Sequence, residues 1–278
     1  MKLTRLSTTA LCVALAALSL AGCTPGTSTP GDASSGSAGS TLQSVLQSGT
    51  VRVGDCLSFA PFGFYGSDGN PSGYDVDLAN ELATALGVKL QIIDVTSDDR
   101  IPDLQTNKVD VVFCNFTRTS QRQEQIDFTD PYVVATESLL VKTTSGIASV
   151  ADLTNKSVAV VKGSTDGDII EKLNPQANVQ QYDTTSAALL AVQQGQADAM
   201  VEDSNFLTYQ ASLDSTLSVT SDSLVPLEYN AWGVRQGDQI WLNWLNGFLF
   251  NLNTSGGNQA LYQKWFGAPM RFPLNPQY

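Results

Sequence analysis

Two oppositely charged residues, Arg122 and Asp203, follow predicted β-strands, where they could hold the two charged groups of a small solute. The planar guanidinium of an arginine binds both oxygens of a carboxylate at once. Thr117 is placed to donate a further hydrogen bond to the same group. Asp203 ends the apolar run Ala199-Met200-Val201 and offers a partner for an ammonium group. Because a solute that carries both charges loses its hydration on burial, each charge needs such an opposite partner.

Both residues also have a purely structural interpretation. Arg122 could pair with Glu124 on a solvated helix, and Asp203 could cap a helix that begins near Asn205. Local sequence alone leaves these alternatives open.

The tripeptide Gly163-Ser164-Thr165 indicates a second anion-binding position. It follows an apolar strand and opens a helix, and free backbone N–H groups at a helix start point toward an incoming anion. The same pattern is also typical of simple helix capping. Phe59 could pack over the aliphatic carbons of a ligand, or it could belong to the core.

Composition excludes several classes of function. The 278 residues include 15 Lys+Arg, 27 Asp+Glu and no His, so the formal net charge is −12. Nucleic-acid binding needs clustered basic residues, which this chain lacks. Without histidine, Ser-His-Asp and Cys-His sites are impossible, and a zinc site would need cysteines and carboxylates only. A hydrophobic content of 42% is enough for a packed core in one large or two modest domains.

The first 22 residues read as a secretory leader, with Lys2 and Arg5 ahead of an apolar run over 10–20. Leu20-Ala21-Gly22-Cys23 resembles the bacterial lipoprotein box, in which the leader is cleaved before the cysteine and the thiol receives a lipid. An ordinary leader with a chance cysteine is the alternative. Residues 23–41 are rich in Ser, Thr, Gly and Pro and are predicted to form a flexible tether.

From residue 51 the chain alternates short β-branched runs with helical patterns, which is the signature of βαβ units and a parallel sheet. The first half has predicted strands at 51–53, 88–95 and 110–113 and predicted helices at 75–86 and 101–106. The second half has predicted strands at 157–161, 179–182 and 198–201 and predicted helices at 166–173 and 186–194. Residues 239–266 are predicted to be helical, with an aromatic stripe packed in the core. Ligands of open α/β sheets bind at the carboxyl ends of the strands, so two such crevices facing each other would enclose a small polar solute.

Cys56 and Cys114 end the first and third predicted strands, which are neighbours in a doubly wound order. Cys12 leaves with the leader and Cys23 is modified, so these two thiols remain in an oxidising compartment. We hypothesise a disulfide between them, with two free buried thiols as the alternative.

The chain resembles the family 3 extracellular solute-binding proteins of polar amino-acid ABC importers over about residues 42–270. The stretches that carry the resemblance are 51–62, 73–78, 100–105, 117–122, 127–132, 161–165 and Lys264-Trp265-Phe266-Gly267. The resemblance implies a two-lobed, type II periplasmic-binding-protein-like α/β fold, with a βαβαβ-based sheet in each lobe and two hinge strands. Lobe 1 would comprise 42–134 plus 231–278, and lobe 2 would comprise 135–230.

The resemblance also implies which residues bind the ligand. Arg122 matches the α-carboxylate arginine of the family, and Asp203 matches the acid that holds the α-ammonium. The second-lobe carboxylate donor is matched by Thr165 together with the backbone of Ser164. The remaining implied contacts are a hydroxyl donor, a neighbouring polar contact and a covering aromatic, namely Thr117, Asn115 and Phe59.

Segment 96–102 is similar to the glutamate/aspartate-binding members, in which the residues matched by Ser97 and Arg100 contact a side-chain carboxylate. Glutamate or aspartate is therefore the first expected ligand, and a related polar amino acid is the alternative. Cys56 and Thr185 stand where those members have an arginine and a histidine. Cys56 also replaces an aspartate of the basic-amino-acid members, which makes a cationic ligand the least expected.

The resemblance implies a binding protein rather than an enzyme. We expect a monomer without cofactor or metal that is exported, anchored by lipid to the membrane and presented to an ABC transporter permease. The same fold also hosts an enzyme of the cyclohexadienyl dehydratase type, for which Glu202 or Glu228 could supply an acid. The ammonium-binding Asp203 and the lipid tether favour binding over catalysis.

Overall fold

The computed structural model describes residues 39–220 and 223–275. The predicted leader, Cys23 and all but the end of the predicted tether lie outside these residues. Thr41, the last residue of the predicted tether, is buried and is the first residue of helix α1. Within the described residues, no helix combines the length and the apolar character that a membrane crossing requires.

Short strands and helices alternate along the described chain. The strands are β1 (Thr50–Asp55), β2 (Ser58–Phe59), β3 (Gly63–Tyr65), β4 (Pro71–Ser72), β5 (Lys89–Asp94), β6 (Val111–Val112), β7 (Ile126–Ala135), β8 (Glu137–Lys142), β9 (Ser157–Val161), β10 (Asn178–Tyr182), β11 (Ala199–Asp203), β12 (Leu217–Val219) and β13 (Glu228–Arg235). The helices are α1 (Thr41–Ser48), α2 (Tyr74–Leu86), α3 (Arg100–Gln105), α4 (Ser120–Gln123), α5 (Asp166–Leu173), α6 (Thr185–Gln194), α7 (Ser204–Leu213), α8 (Gln239–Thr254) and α9 (Gly257–Phe266).

Two five-stranded mixed sheets, one in each lobe, organise the fold. The first has the order β5-β1-β6-β13-β7, with β1 parallel to β5 and β6, and β13 antiparallel to β6 and β7. The second has the order β10-β9-β11-β8-β12, with β9 parallel to β10 and β11, and β8 antiparallel to β11 and β12. The parallel part of each sheet is the βαβαβ unit that the sequence predicted. The two-lobed α/β prediction is therefore confirmed.

Two long strands, β7 and β13, connect the lobes. β7 runs through Thr136 directly into β8 of the second sheet, and β13 leads back into the first sheet. They pair antiparallel to each other, with Glu228 opposite Ala135 and Tyr229 opposite Val134. The lobe boundaries predicted after residues 134 and 230 lie inside these two strands. Neither strand was assigned from the sequence pattern.

Local sequence explains most elements. In α2, Leu78 and Leu82 are fully buried on one stripe, and Gly87 ends the helix with a left-handed φ of 68°. β9 and β11 are buried at nearly every position, as expected for strands of a parallel sheet that is covered on both faces. Since Glu202 and Asp203 belong to β11, two carboxyl groups lie in a buried strand end.

The predicted helix over 239–266 is two helices, α8 and α9. The chain breaks at Gly256, whose left-handed φ of 77° suits a residue without a side chain. The buried stripe of α8 also differs from the predicted one. Trp241, Leu245 and Leu249 are fully buried, whereas the predicted aromatic positions 244 and 248 are partly buried at the edge of the core.

Candidate functional site

The carboxyl ends of the parallel strands of both lobes meet at one small cavity of about 20 Å³. Its walls come from both lobes and consist of Phe59, Ser97, Arg100, Cys114, Asn115, Thr117, Arg122, Glu137, Ser164, Thr165, Asp166 and Glu202. All of the predicted ligand contacts line it except Asp203. A volume of this size admits about one water molecule, so an amino acid can enter only when the lobes move apart. A groove of about 570 Å³ borders the cavity at Arg122, Ser164 and Thr165.

A disulfide between Cys56 and Cys114 joins the chain just beyond β1 and β6, with the Cα atoms 4.9 Å apart. Cys114 and Asn115 both have positive φ, of 52° and 43°, which is an uncommon backbone conformation for residues other than glycine. The backbone N–H of Asn115 donates to Tyr132 Oη at 3.1 Å and lies 3.4 Å from Asp75 Oδ2. The disulfide and these buried acceptors hold the turn that presents the side chain of Asn115 to the cavity.

Arg122 lies on the short helix α4, which Thr119 caps by accepting a hydrogen bond from the backbone N–H of Arg122. Its guanidinium donates to two backbone carbonyls, Thr117 O at 2.6 Å and Gly163 O at 3.0 Å. Gly163 belongs to the second lobe, so this arginine spans the cleft. Burial lowers the pKa of Arg122. Arg122 lines the cavity, and its guanidinium donates to carbonyls rather than to Glu124.

Arg100 is also a cleft residue, and it is only 4% exposed. Its guanidinium donates to the carbonyl oxygens of Ser97 at 2.8 Å, Cys114 at 3.2 Å and Gly163 at 3.0 Å. Burial and the neighbouring Arg122 lower its pKa well below the usual value. The resemblance assigned Arg100 to a ligand carboxylate, but in the structure three of its five N–H donors are directed at backbone carbonyls.

Phe116 is a site residue that sequence reasoning missed. The guanidinium carbons of Arg100 and Arg122 lie 4.1 and 4.8 Å from the centre of its ring. An aromatic face attracts cations, so one ring orients both arginines. Its position between Asn115 and Thr117 was the available signal.

Asp203 is the N-cap residue of α7, but its side chain makes no capping hydrogen bond. Instead, Oδ2 accepts from Asn115 Nδ2 at 2.5 Å and from Asn230 Nδ2 at 2.7 Å. The residue is 1% exposed, and burial raises its pKa to about 7. Asp203 itself does not line the cavity, but it accepts a hydrogen bond from Asn115, which does.

In the second lobe, Ser164 and Thr165 precede α5. The backbone N–H of Ser164, predicted to face an anion, donates to Val161 O at 3.1 Å within the turn. The Ser164 hydroxyl donates to the same carbonyl at 2.7 Å and accepts from the Asp166 N–H at 3.2 Å. Thr165 is the N-cap residue, and its side chain makes no capping hydrogen bond. Both residues line the cavity, and the Thr165 hydroxyl is not used in helix capping.

Both interpretations of Phe59 apply, because it lines the cavity and also packs in the core. Its ring centre lies 5.0 Å from that of Phe62 and 4.8 Å from that of Phe206 in α7 of the second lobe. The aromatic contact therefore crosses the cleft.

Three acidic side chains form part of the cavity wall and were not predicted as ligand contacts: Glu137, Asp166 and Glu202. Burial, followed by mutual repulsion of the negative charges, raises the pKa of Glu137 and of Glu202 well above the usual range. Burial raises the pKa of Asp166 to about 7. The sequence signal for Asp166 and Glu202 was only that each adjoins a predicted ligand contact, Thr165 or Asp203. Glu137 begins β8, directly after the connecting strand β7.

Glu137, Asp203 and Glu228 each bring one carboxylate oxygen to within 4.8 Å of the others. Clustered carboxylate oxygens suit hard cations such as Ca²⁺ or an organic ammonium group. The cluster lies where β8, β11 and β13 come together, beside the crossing between the lobes.

The sequence profile of the bacterial extracellular solute-binding proteins, family 3, matches residues 51–268. The chain therefore belongs to this family, and its fold and cleft are those of a two-lobed binding protein. The chain is 34% identical over 203 residues to the ABC transporter glutamine-binding protein GlnH of Bacillus subtilis (strain 168), which covers 72% of this chain and 74% of the relative.

Two solved structures are similar over most of the chain. A mutant of ArgBP from T. maritima has a TM-score of 0.78 and 34% identity, and it covers 82% of this chain and all of its own. The ancestral amino acid-binding protein AncCDT-1, a precursor of cyclohexadienyl dehydratase, has a TM-score of 0.77 and 37% identity with the same coverage. These relatives support an amino-acid-binding protein of an ABC importer.

Proposed function

We propose that this protein captures a free polar L-amino acid between its lobes and delivers it to an ABC transporter permease. The observation that carries the proposal is the convergence of two opposite charges on one cleft. The Arg122 guanidinium enters from the first lobe, and the Asp203 carboxylate of the second lobe reaches the same cleft through its bond to Asn115. Arg122 would bind the α-carboxylate, and Asp203 would bind the α-ammonium.

Binding would begin on the first lobe, where Arg122, Thr117 and Asn115 are close together. Closure of the second lobe would then bring Thr165 and Asp203 onto the ligand. The connecting strands β7 and β13 are the natural hinge, and ligand would shift an equilibrium between open and closed forms. A monomer suffices for this mechanism, since both binding walls come from one chain.

The cavity wall indicates which class of side chain the ligand carries. Glutamate and aspartate were the first expectation, through Ser97 and Arg100. Three of the five N–H donors of Arg100 are directed at carbonyl oxygens, and Glu137, Asp166 and Glu202 share the cavity wall. In their ionised form, these three acids would repel a second ligand carboxylate. We therefore propose a polar amino acid without an acidic side chain.

A dehydratase of the cyclohexadienyl type is the second candidate, because Glu202 lines the cavity and burial raises its pKa, which favours the protonated form that a general acid needs. Incubation with prephenate tests it directly. Product formation that is lost in Glu202→Gln would support catalysis, and an unchanged substrate would leave binding as the function.

We also propose that the protein is exported and anchored by lipid at Cys23. The test is fractionation of cells that express the full chain or Cys23→Ser. Lipidation predicts that the wild type stays with membranes and gains the mass of the lipid, whereas the variant is released. Release of both proteins would contradict the anchor.

A thermal-shift screen of the twenty amino acids tests the central proposal, since a ligand that binds only the folded state raises the apparent melting temperature. At least one polar L-amino acid is expected to raise it, and its deaminated analogue is expected to do so less. A screen in which no amino acid shifts the melting temperature would contradict the proposal.

A further inference from the structure

We propose that the acidic wall of the cleft, formed by Glu137, Asp166 and Glu202, is a subsite for a cationic side chain. The ligand would then be a basic amino acid. This inference rests on the proposed function, because it assumes that an amino acid occupies the cleft. Cys56 stands where the basic-amino-acid members have an aspartate, and a cationic ligand was therefore the least expected. The inference reverses that expectation, because the acids of the second lobe supply the negative charge that Cys56 of the first lobe does not.

The charge of the cleft is the first argument. Five carboxyl groups, Glu137, Asp166, Glu202, Asp203 and Glu228, lie at or beside the cavity, and the first four are at most 7% exposed. Among the described residues, two cations line the same cavity, Arg100 and Arg122. When all seven groups are ionised, their net charge is −3.

Hydrogen bonding is the second, independent argument. Buried oxygens without a partner in the described structure occur on four of these acids: Glu137 Oε2, Asp166 Oδ2, Asp203 Oδ1 and Glu228 Oε2. The arginines do not satisfy them, because the hydrogen bonds of both guanidinium groups are directed at backbone carbonyls, including the shared Gly163 O. Buried carboxylates are stable when they are paired with a cation or hydrogen-bonded by donors. The wall therefore lacks donors, not acceptors.

The net charge of the ligand distinguishes acidic, neutral and basic amino acids as candidates. Glutamate has a net charge of −1 and would change −3 to −4, whereas a neutral polar amino acid would leave −3 unchanged. A basic amino acid would change −3 to −2, and its guanidinium or ammonium side chain would supply several donors. Asp203 would hold the α-ammonium, which leaves Glu137, Asp166 and Glu202 for the side chain.

Titration of the wall agrees with this assignment. Burial and mutual repulsion raise the pKa of its carboxyl groups, so their ionised form is unfavourable unless a cation lies beside them. A cation placed among them favours their ionised form. Binding of a basic amino acid is therefore expected to release protons.

Calorimetric titration with matched ligand pairs tests the inference. Citrulline has the shape of arginine without its charge, and glutamine serves as a second neutral ligand. Arginine or lysine is expected to bind at least about tenfold more tightly than citrulline, since hydrogen bonds to charged groups are the stronger ones. Titrations in two buffers with different heats of ionisation are expected to show proton release with arginine and less with citrulline.

Variants locate the subsite. Glu137→Gln, Asp166→Asn and Glu202→Gln are each expected to lower the affinity for the basic ligand by about tenfold or more and to change that for citrulline far less. Glu171→Gln is the matched control, because Glu171 is exposed on the same helix as Asp166. Thermal melts check that each variant is folded.

The outcomes separate this inference from the proposed function. If no amino acid binds, the proposed function fails. If amino acids bind but citrulline equals arginine, or glutamate binds most tightly, only the cationic subsite fails. Binding of Ca²⁺ or Mg²⁺ at these carboxylates, tighter than that of any amino acid, would also overturn it.

Discussion

The side-chain amide of Asn115 donates to the carboxylate of Asp203 across the cleft, with Nδ2 2.5 Å from Oδ2. Asn115 follows β6 of the first lobe, and Asp203 ends β11 of the second. The same oxygen accepts from Asn230 of β13, one of the two strands that connect the lobes. A ligand ammonium would compete for this oxygen, so binding and lobe closure involve the same group.

Arg122→Ala is expected to weaken ligand binding by about 2 to 5 kcal/mol, because the ligand carboxylate would be buried without its partner. Calorimetric titration measures the loss. Arg118→Ala is the matched control, since Arg118 is a nearby but exposed arginine. Wild-type affinity in Arg122→Ala would be inconsistent with its role as the carboxylate clamp.

Asp203→Asn is expected to weaken α-amino acids much more than the matching deaminated acids. The amide keeps the shape of the side chain but removes the charge that an ammonium group requires. Titration of the variant with each member of a ligand pair provides the measurement. Equal losses for both ligands would show that Asp203 does not bind the ammonium.

Gly163→Ala is expected to prevent full closure. Gly163 has a φ of 78°, and a Cβ added there would lie 2.7 Å from the Cα of Asp98 in the other lobe. Affinity should fall, and small-angle scattering with ligand should show a larger radius than for the wild type. Gly167→Ala is the control, because its nearest contact would be an ordinary 3.9 Å. Normal compaction of Gly163→Ala would contradict this close approach.

The ion pair between Lys162 and Asp98 at the cleft rim is expected to matter little. Its atoms are 2.7 Å apart, but the two side chains are 52% and 49% exposed, so water and salt screen the pair. Lys162→Ala should change affinity by less than about threefold. A much larger loss, measured in the same titration, would mean that this pair latches the closed form.

The pH dependence of stability should reflect the buried acids. Burial raises the pKa of Asp166 to about 7, whereas a free aspartate titrates near about 3.9. The folded protein therefore binds more protons than the unfolded chain between about pH 4 and 7, and this group's contribution to the free energy of unfolding falls as the pH rises.

Asp166→Asn removes that contribution, by at most about 1.4 kcal/mol per pH unit. The stability of the variant relative to the wild type should therefore increase from about pH 4 to 7 in urea denaturation. Asp168→Asn, at an exposed position of the same helix, is the control. A pH-independent difference for Asp166→Asn would show that its carboxyl group is not buried in the folded state.

Sequence periodicity was sufficient for the elements whose identity depends on neighbouring residues. The strand Ser157–Val161 and the helix Asp166–Leu173 have the predicted bounds, since apolar spacing and capping act within a few residues. The rule that ligands bind at strand ends also selected Thr117 and Arg122, which line one cavity. These residues could be found because their sequence motifs mark the ends of strands.

Only the tertiary structure decided which charges face each other. Glu137 is an ordinary residue at the start of a strand until β8, β11 and β13 bring it beside Asp203 and Glu228. The partners of Arg100 likewise depend on Gly163, 63 residues away along the chain. Electrostatic interactions act through space and strengthen as water is excluded, so the charge that the cleft presents to a ligand depends on the folded assembly of both lobes.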